Sequence, residues 1–115
     1  MPNIPLFIPT LPISKKPWDI FDANGKQGDF IISHFSPSGS ISGTLNSFPF
    51  TGQWDEVLSR ITFSLRYGIQ GADLRDYTGY MFRDETNTSL ITLTGSFKRF
   101  IEEKEFGWYA QTQLP

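Results

Sequence analysis

The sequence predicts an all-β domain: an eight-stranded antiparallel up-and-down barrel with an irregular Pro-rich arm at its N-terminus. Three observations lead to this prediction. Apolar and polar residues alternate along most of the chain, aromatic residues make up 16% of it, and short turn-forming clusters separate the alternating segments. Alternation is typical of strands with one buried face, and aromatic side chains favour strands.

Each strand is predicted from this alternation. The clearest covers residues 60–67, Arg-Ile-Thr-Phe-Ser-Leu-Arg-Tyr, in which every second residue is apolar. The same pattern predicts strands near residues 18–21, 28–35, 40–46, 50–57, 75–83, 89–98 and 105–113. Turn chemistry lies between them, at Ala23-Asn24-Gly25-Lys26, Ser36-Pro37-Ser38-Gly39 and Asp84-Glu85-Thr86-Asn87. Residues 68–73 form a longer loop, and residues 100–105 are either a hairpin end or one short helical turn. Connections this short imply that each strand pairs with the next.

The number and spacing of the strands favour a barrel. A meander of eight twisted strands avoids exposed edges when it closes on itself. A β-sandwich is the main alternative, because periodicity alone does not distinguish the two architectures. The length of 115 residues fits one domain, which we assign to residues 1–115, with the arm at 1–16 and the barrel at 17–115.

Composition excludes several classes of function. The chain has no cysteine, which excludes disulfides, thiol nucleophiles and cysteine-ligated metal sites. A net charge of −2 argues against a nucleic acid partner, because phosphate binding needs an excess of Lys and Arg. No run is long enough to span a membrane, and four prolines interrupt the apolar N-terminus where a signal peptide needs a helix. We therefore expect a cytoplasmic protein with no nucleic acid or membrane partner.

Few residues offer catalytic chemistry. His34, the only histidine, shares a predicted strand face with Phe30 and Ile32. Inside a barrel it could act as a base or a haem ligand, whereas at a strand end it would be solvated or hydrogen-bonded. The carboxylates fall at predicted strand ends and turns, where solvated charge is normal, and they lack calcium-loop spacing. We therefore expect no catalytic set, no metal and no cofactor.

Four glycines recur at the centre of apolar triplets with a spacing of two. The instances are Ile41-Gly43-Leu45, Phe50-Gly52-Trp54, Tyr77-Gly79-Met81 and Leu93-Gly95-Phe97. Glycine weakens a strand, so four such placements indicate a geometric need. They could let the strands bend in a small barrel, or they could leave space for a ligand inside it.

If the glycines leave space, apolar strand faces supply the wall of the pocket. The expected wall residues are Trp54, Trp108, Tyr67, Tyr77, Phe63 and Phe97, around Gly43, Gly52, Gly79 and Gly95. The tryptophans have a second explanation, as packing inside or at the ends of the barrel. Either arrangement places these side chains on the inner face.

The motifs Ser42-Gly43-Thr44, Phe50-Thr51-Gly52-Gln53, Tyr77-Thr78-Gly79-Tyr80 and Leu93-Thr94-Gly95-Ser96 resemble the strand pattern of avidin and streptavidin. The likeness covers roughly residues 17–113 and implies an avidin-like or lipocalin-like, calycin-type barrel. The biotin-contacting groups do not carry over. Leu45 stands where the family has a tyrosine after Gly-Thr, and Tyr67 and Phe97 stand where it has tryptophans. The resemblance therefore implies the fold without biotin binding.

These observations leave two functions open. We expect a non-enzymatic binder of a small, largely apolar ligand other than biotin. The alternative is a structural or protein-interaction module with a filled barrel that acts through its surface or an oligomer interface. The apolar arm either folds over a barrel opening or docks on another subunit, which agrees with the homo-oligomers that avidin-like barrels form.

Overall fold

Alternating side chains build a closed antiparallel sheet. The computed structural model describes residues 11, 17–68, 73–87 and 89–113. Within them the strands are β1 (Trp18–Asp22), β2 (Gly25–Phe35), β3 (Ser40–Leu45), β4 (Phe48–Asp55), β5 (Arg60–Tyr67), β6 (Asp73–Arg83), β7 (Leu90–Arg99) and β8 (Lys104–Gln113). Each strand pairs with the next, and β8 pairs with β1 to close the sheet. The predicted eight-stranded up-and-down barrel is confirmed, and the sandwich alternative is excluded.

The predicted strands agree with the observed ones to within three residues. The strand expected over residues 60–67 is β5 itself, whereas β4 and β6 each begin two residues earlier than expected. The predicted arm over residues 1–16 lies outside the described residues, apart from Leu11, which is buried in the core. Residues 69–72 of the predicted turn after β5 also lie outside them.

Local turn chemistry fixes the hairpins. The β3–β4 loop consists of two residues, Asn46 and Ser47, with φ angles of 49° and 73°. Positive φ at both positions is the type I′ geometry, whose twist matches that of the flanking strands. Gly25, with φ of 102°, closes the predicted Asn-Gly turn between β1 and β2.

The connections gather at two ends of the barrel. We call the end with the β1–β2, β3–β4, β5–β6 and β7–β8 connections the Asn46 end. The opposite end, with the β2–β3, β4–β5 and β6–β7 connections, is the Val57 end. The described residues include no helix long and apolar enough to cross a membrane.

A β-bulge changes the alternation near the end of β2. The register against β3 shifts between Ile32 and His34, so that Phe35 pairs with Ile41. Phe35 then packs against the core, and His34 is exposed on the outside. The face shared with Phe30 and Ile32 is therefore wrong for His34, and its exposed position agrees with the alternative of a solvated residue at a strand end.

Candidate functional site

Aromatic rings fill the middle of the barrel. The ring centroids of Phe30 and Phe63 lie 5.1 Å apart, and those of Phe63 and Tyr77 lie 4.6 Å apart. Tyr77 stacks in turn on Phe97 at 4.7 Å. These separations are ordinary stacking contacts. Three of the expected wall residues therefore lie side by side and cover one another's faces.

Trp108 completes this stack from the neighbouring strand. Its ring meets Phe63 and Tyr77 edge-on, at 5.8 and 5.6 Å between centroids. Its Nε1 donates to the backbone carbonyl oxygens of Thr78 and Ser96, at 3.2 and 3.1 Å. The indole is thus fixed in orientation and ties β8 to β6 and β7.

The recurrent glycines lie opposite rings or one another in the sheet register. Gly43 pairs with Phe50, Gly52 with Phe63, Gly95 with Trp108, and Gly79 with Gly95. An ideal Cβ on Gly43, Gly52 or Gly95 would lie 1.8–2.0 Å from a backbone carbonyl oxygen of a neighbouring strand. A Cβ on Gly79 would lie 2.6 Å from the Trp108 ring. Close approach of neighbouring backbone and rings therefore accounts for the four glycines.

The remaining two expected wall residues lie near opposite ends. At the Asn46 end, the Tyr67 ring packs 4.6 Å from Phe48, and its hydroxyl accepts a hydrogen bond from Asn46 Nδ2 at 2.9 Å. At the Val57 end, Trp54 Nε1 donates to Glu56 Oε2 at 2.5 Å. Trp54 also lines an open groove of about 520 Å³ near the β2–β3 and β4–β5 turns. The six expected side chains therefore do not surround one common space.

A charged cluster lies inside the Asn46 end, and we call Asp73, Arg75 and Arg99 the mouth cluster. Arg75 Nε donates to Asp73 Oδ2 at 2.8 Å, and Arg75 Nη2 forms an ion pair with the same oxygen at 2.8 Å. Arg99 Nη2 approaches the same oxygen at 3.1 Å. The Arg75 guanidinium also lies 4.2 Å from the Tyr67 ring centroid and donates to the Tyr77 hydroxyl at 3.3 Å. The cluster thus caps the aromatic stack at this end.

The protonation states in the cluster follow from burial and hydrogen bonding. Burial raises the pKa of Asp73, but hydrogen bonds from Arg99 and Arg75 outweigh it, so the pKa lies below its ordinary value. Burial raises the pKa of the Tyr77 hydroxyl. At neutral pH Asp73 is therefore ionised and Tyr77 is neutral. Every buried side-chain nitrogen and oxygen of the described residues has a hydrogen-bond partner, so the cluster is a satisfied ion network.

Sequence reasoning missed the mouth cluster. It treated the carboxylates as solvated groups at strand ends, which is wrong for Asp73, a buried residue. A usable signal was present, because Asp73 and Arg75 are in phase with Tyr77 and Gly79 along β6. Residues in phase on a strand share one face. Extending the inner face past its last aromatic residue would have placed both charges inside.

Comparison with known proteins does not assign a function to these residues. Comparison with protein-family models, curated proteins and solved structures gives no match. The closed barrel is compatible with a calycin-like fold, but a fold does not determine a function. No group of three or more His, Asp or Glu side chains in the described part of the chain is placed to hold a metal ion.

Proposed function

We propose that this chain is a non-enzymatic protein-interaction module whose filled barrel is a scaffold for its surface. The aromatic stack through Phe63, Tyr77 and Phe97 is the observation that carries the proposal. A ligand pocket needs about 300 Å³ or more, and opening one here would require stacked rings to separate. This favours the surface over the interior as the place of binding.

The β4–β5 turn is the surface through which we expect the barrel to bind a partner. Val57 at its tip is 92% exposed, and the adjacent Leu58 is exposed as well. The turn is held in shape, because the Leu58 N–H donates to Asp55 Oδ1 at 3.1 Å and Ser59 takes a positive φ of 51°. Two adjacent apolar side chains held in water on an ordered turn favour a partner that covers them.

The charges beside the turn favour a second copy of the chain as that partner. Asp55 and Arg60 lie at either end of the turn, with 3.9 Å between carboxylate and guanidinium, and both are partly exposed. A surface that carries both signs next to an apolar pair is complementary to itself under two-fold symmetry. We therefore place the homo-oligomer interface at this turn.

We also propose that the barrel is avidin-like and that the protein is cytoplasmic. The up-and-down order of the eight strands supports an avidin-like barrel, as do the Ser/Thr-Gly motifs on β3, β4, β6 and β7. A chain without cysteine suits the reducing cytoplasm. These inferences concern the scaffold and are independent of the interface.

We expect V57D and L58D to abolish self-association, because a charge in an apolar interface is costly to desolvate. Sedimentation velocity over a range of protein concentrations measures the effect. I101D is the matched control, since Ile101 is an exposed apolar residue on the β7–β8 turn at the opposite end. All three substitutions are at exposed positions, so melting temperatures should stay close to that of the wild type. A wild type that stays monomeric, or association that survives V57D and L58D, contradicts the proposal.

A separate measurement tests the interior. Titration with the apolar probe 1-aminoanthracene is followed by near-ultraviolet circular dichroism, which reports the packing around Trp108 and Tyr77. We expect no change in this signal, because stacked rings occupy the inside of the barrel. A saturable change at one probe per barrel would instead support the binding of an apolar ligand.

A further inference from the structure

The outer face of β6, β7 and β8 carries a feature that the barrel core does not use. We call it the aromatic groove and define it by Tyr80, Phe82, Thr92, Thr94, Gly107 and Tyr109. The burial pattern of the three strands alternates, and these residues face outward. Tyr80 is 43% exposed and Tyr109 is 41% exposed.

The sheet register arranges the groove in rows. Thr94 pairs with Tyr80 on one side and with Tyr109 on the other. Adjacent strands lie about 4.8 Å apart, so the backbones of the two tyrosines are roughly 9–10 Å apart with a hydroxyl between them. In the next row, Thr92 lies between Phe82 and Gln111. The result is a strip of hydroxyl and amide groups between aromatic side chains.

Several contacts hold the groove in place before any ligand binds. The Tyr109 ring stacks on Phe21 of β1, with 4.8 Å between centroids and 14° between planes. Gln111 Nε2 donates to Thr92 Oγ1 at 3.3 Å. Thr94 Oγ1 donates to the backbone carbonyl of Trp108 at 3.3 Å, which leaves the lone pairs of its oxygen free to accept. Tyr109, Thr92 and Thr94 would therefore lose little side-chain freedom on binding.

Gly107 leaves space in the groove. A hollow of about 380 Å³ lies beside Tyr109, with Thr94 and Gly107 in its lining. An ideal Cβ on Gly107 would lie 3.9 Å from its nearest heavy atom, so a side chain would fit there. The interior glycines have no such room, since neighbouring atoms occupy their Cβ positions. This glycine is thus not required by packing, and its effect is to keep the hollow open.

We propose that the aromatic groove binds a neutral oligosaccharide. A pyranose ring has an apolar C–H face, which packs on an aromatic ring, and a rim of hydroxyls, which bond hydroxyl and amide side chains. The distance between Tyr80 and Tyr109 suits two consecutive sugar units. The six groove residues are uncharged, and the charges beside them are of both signs: Asp22 also lines the hollow, and Arg60 pairs with Tyr80. A single-stranded nucleic acid would need a continuous basic track beside the stacking rings.

The proposal goes beyond the self-association through the β4–β5 turn and does not depend on it. V57D should bind saccharide as the wild type does, and failure of one activity leaves the other intact. Isothermal titration with cellohexaose, xylohexaose, mannohexaose and chitohexaose tests the groove directly. We expect at least one of these neutral chains to bind with a one-to-one stoichiometry per barrel.

Three variants assign the binding to the groove. Y80A and Y109A each remove one stacking surface and should weaken binding about tenfold. G107V fills the hollow, keeps a residue type that strands favour, and should also weaken binding. F100A is the matched control, because Phe100 is 43% exposed but lies at the β7–β8 turn. Thermal melting checks that all four variants remain folded.

The results of these measurements either support or overturn saccharide binding at the aromatic groove. Weaker binding in Y80A, Y109A and G107V, with F100A unchanged, supports the proposal. A wild type that binds none of the four hexasaccharides overturns it, as does binding that Y80A and Y109A leave unaltered. A groove that instead retains an extended peptide from a random library, through the same two tyrosines, overturns it in favour of a peptide site.

Discussion

Replacing Gly95 with alanine is expected to lower the free energy of unfolding by about 3 kcal/mol, the upper end of the usual cost of overpacking a core. The new methyl group would lie 1.9 Å from the carbonyl oxygen of Thr78 and 2.7 Å from the Cα of Gly79. Both neighbours are backbone atoms of β6, which cannot move without disturbing the sheet. Urea unfolding, followed by tryptophan fluorescence, measures the change.

The matched control for this substitution is Gly107→Ala on the neighbouring strand. Gly107 faces outward, and its ideal Cβ is 3.9 Å from the nearest heavy atom. Neither glycine has a positive φ, so the two variants differ in available space and not in backbone strain. Alanine in place of glycine within a strand ordinarily stabilises by roughly 0.5–1 kcal/mol, and we expect that direction for Gly107.

The same comparison bears on the interior of the barrel. If a ligand-sized space lay beside Gly95, a methyl group would be tolerated there, and both variants would behave alike. Equal unfolding free energies for the two variants would thus contradict the close approach of β6 and β7. They would also favour the interpretation of the four glycines as the floor of a pocket.

The fold was predictable because its determinants are local. The alternation that defines residues 60–67 needs only eight consecutive residues, and the Asn24-Gly25 turn needs only two. Closure of the barrel followed from the short connections and from the cost of exposed sheet edges. No long-range information was required for any of these steps.

The candidate sites were less predictable because they depend on register between strands. Gly95 lies opposite Trp108 through the pairing of β7 with β8, and the alternation of apolar residues along each strand does not give that register. The groove needs two such registers, since Tyr80 and Tyr109 flank Thr94 from different strands. A one-residue slip in either pairing would move one of the tyrosines away from its neighbour.

Irregularities in the strands set a further limit on prediction. Strict alternation points His34 inward, but the bulge after Ile32 inserts one extra residue and turns it out. Strand ends gave a similar error at Asp73. Charge at a strand end usually means solvent, yet two arginines from β6 and β7 compensate this carboxylate inside the barrel.

A substitution in the mouth cluster is expected to have the second large effect on the free energy of unfolding. We expect Asp73→Asn to lower the free energy of unfolding at neutral pH by about 3 kcal/mol, because it removes the carboxylate that Arg75 and Arg99 share. Arg99 keeps its ion pair with Glu102, whereas the largely buried Arg75 loses its acidic partner. Asp76→Asn on the outside of the same strand is the control. Asp76 is exposed and accepts from Ser64 Oγ at 2.6 Å, so its loss should cost under about 1 kcal/mol.

The pH dependence of stability follows from the direction of the Asp73 pKa. The pKa is lower in the folded chain than in the unfolded chain, because hydrogen bonds from Arg99 and Arg75 outweigh the opposing effect of burial. The stabilisation is therefore complete above the unfolded value of about 3.9 and is lost as the pH falls through the folded value. The gap between the wild type and Asp73→Asn should be constant from pH 5 to neutral and should narrow below about pH 4.

Salt provides the decisive comparison for the cluster. Exposed ion pairs are screened at high ionic strength, whereas pairs shielded from solvent are screened much less. The side chains of Asp73 and Arg75 are each 11% exposed, so most of the wild-type advantage should persist in 1 M sodium chloride. An advantage that disappears in salt, or that stays constant below pH 4, would mean that the carboxylate is solvated. The cluster would then not cap the aromatic stack, and the Asn46 end of the barrel would be open to water.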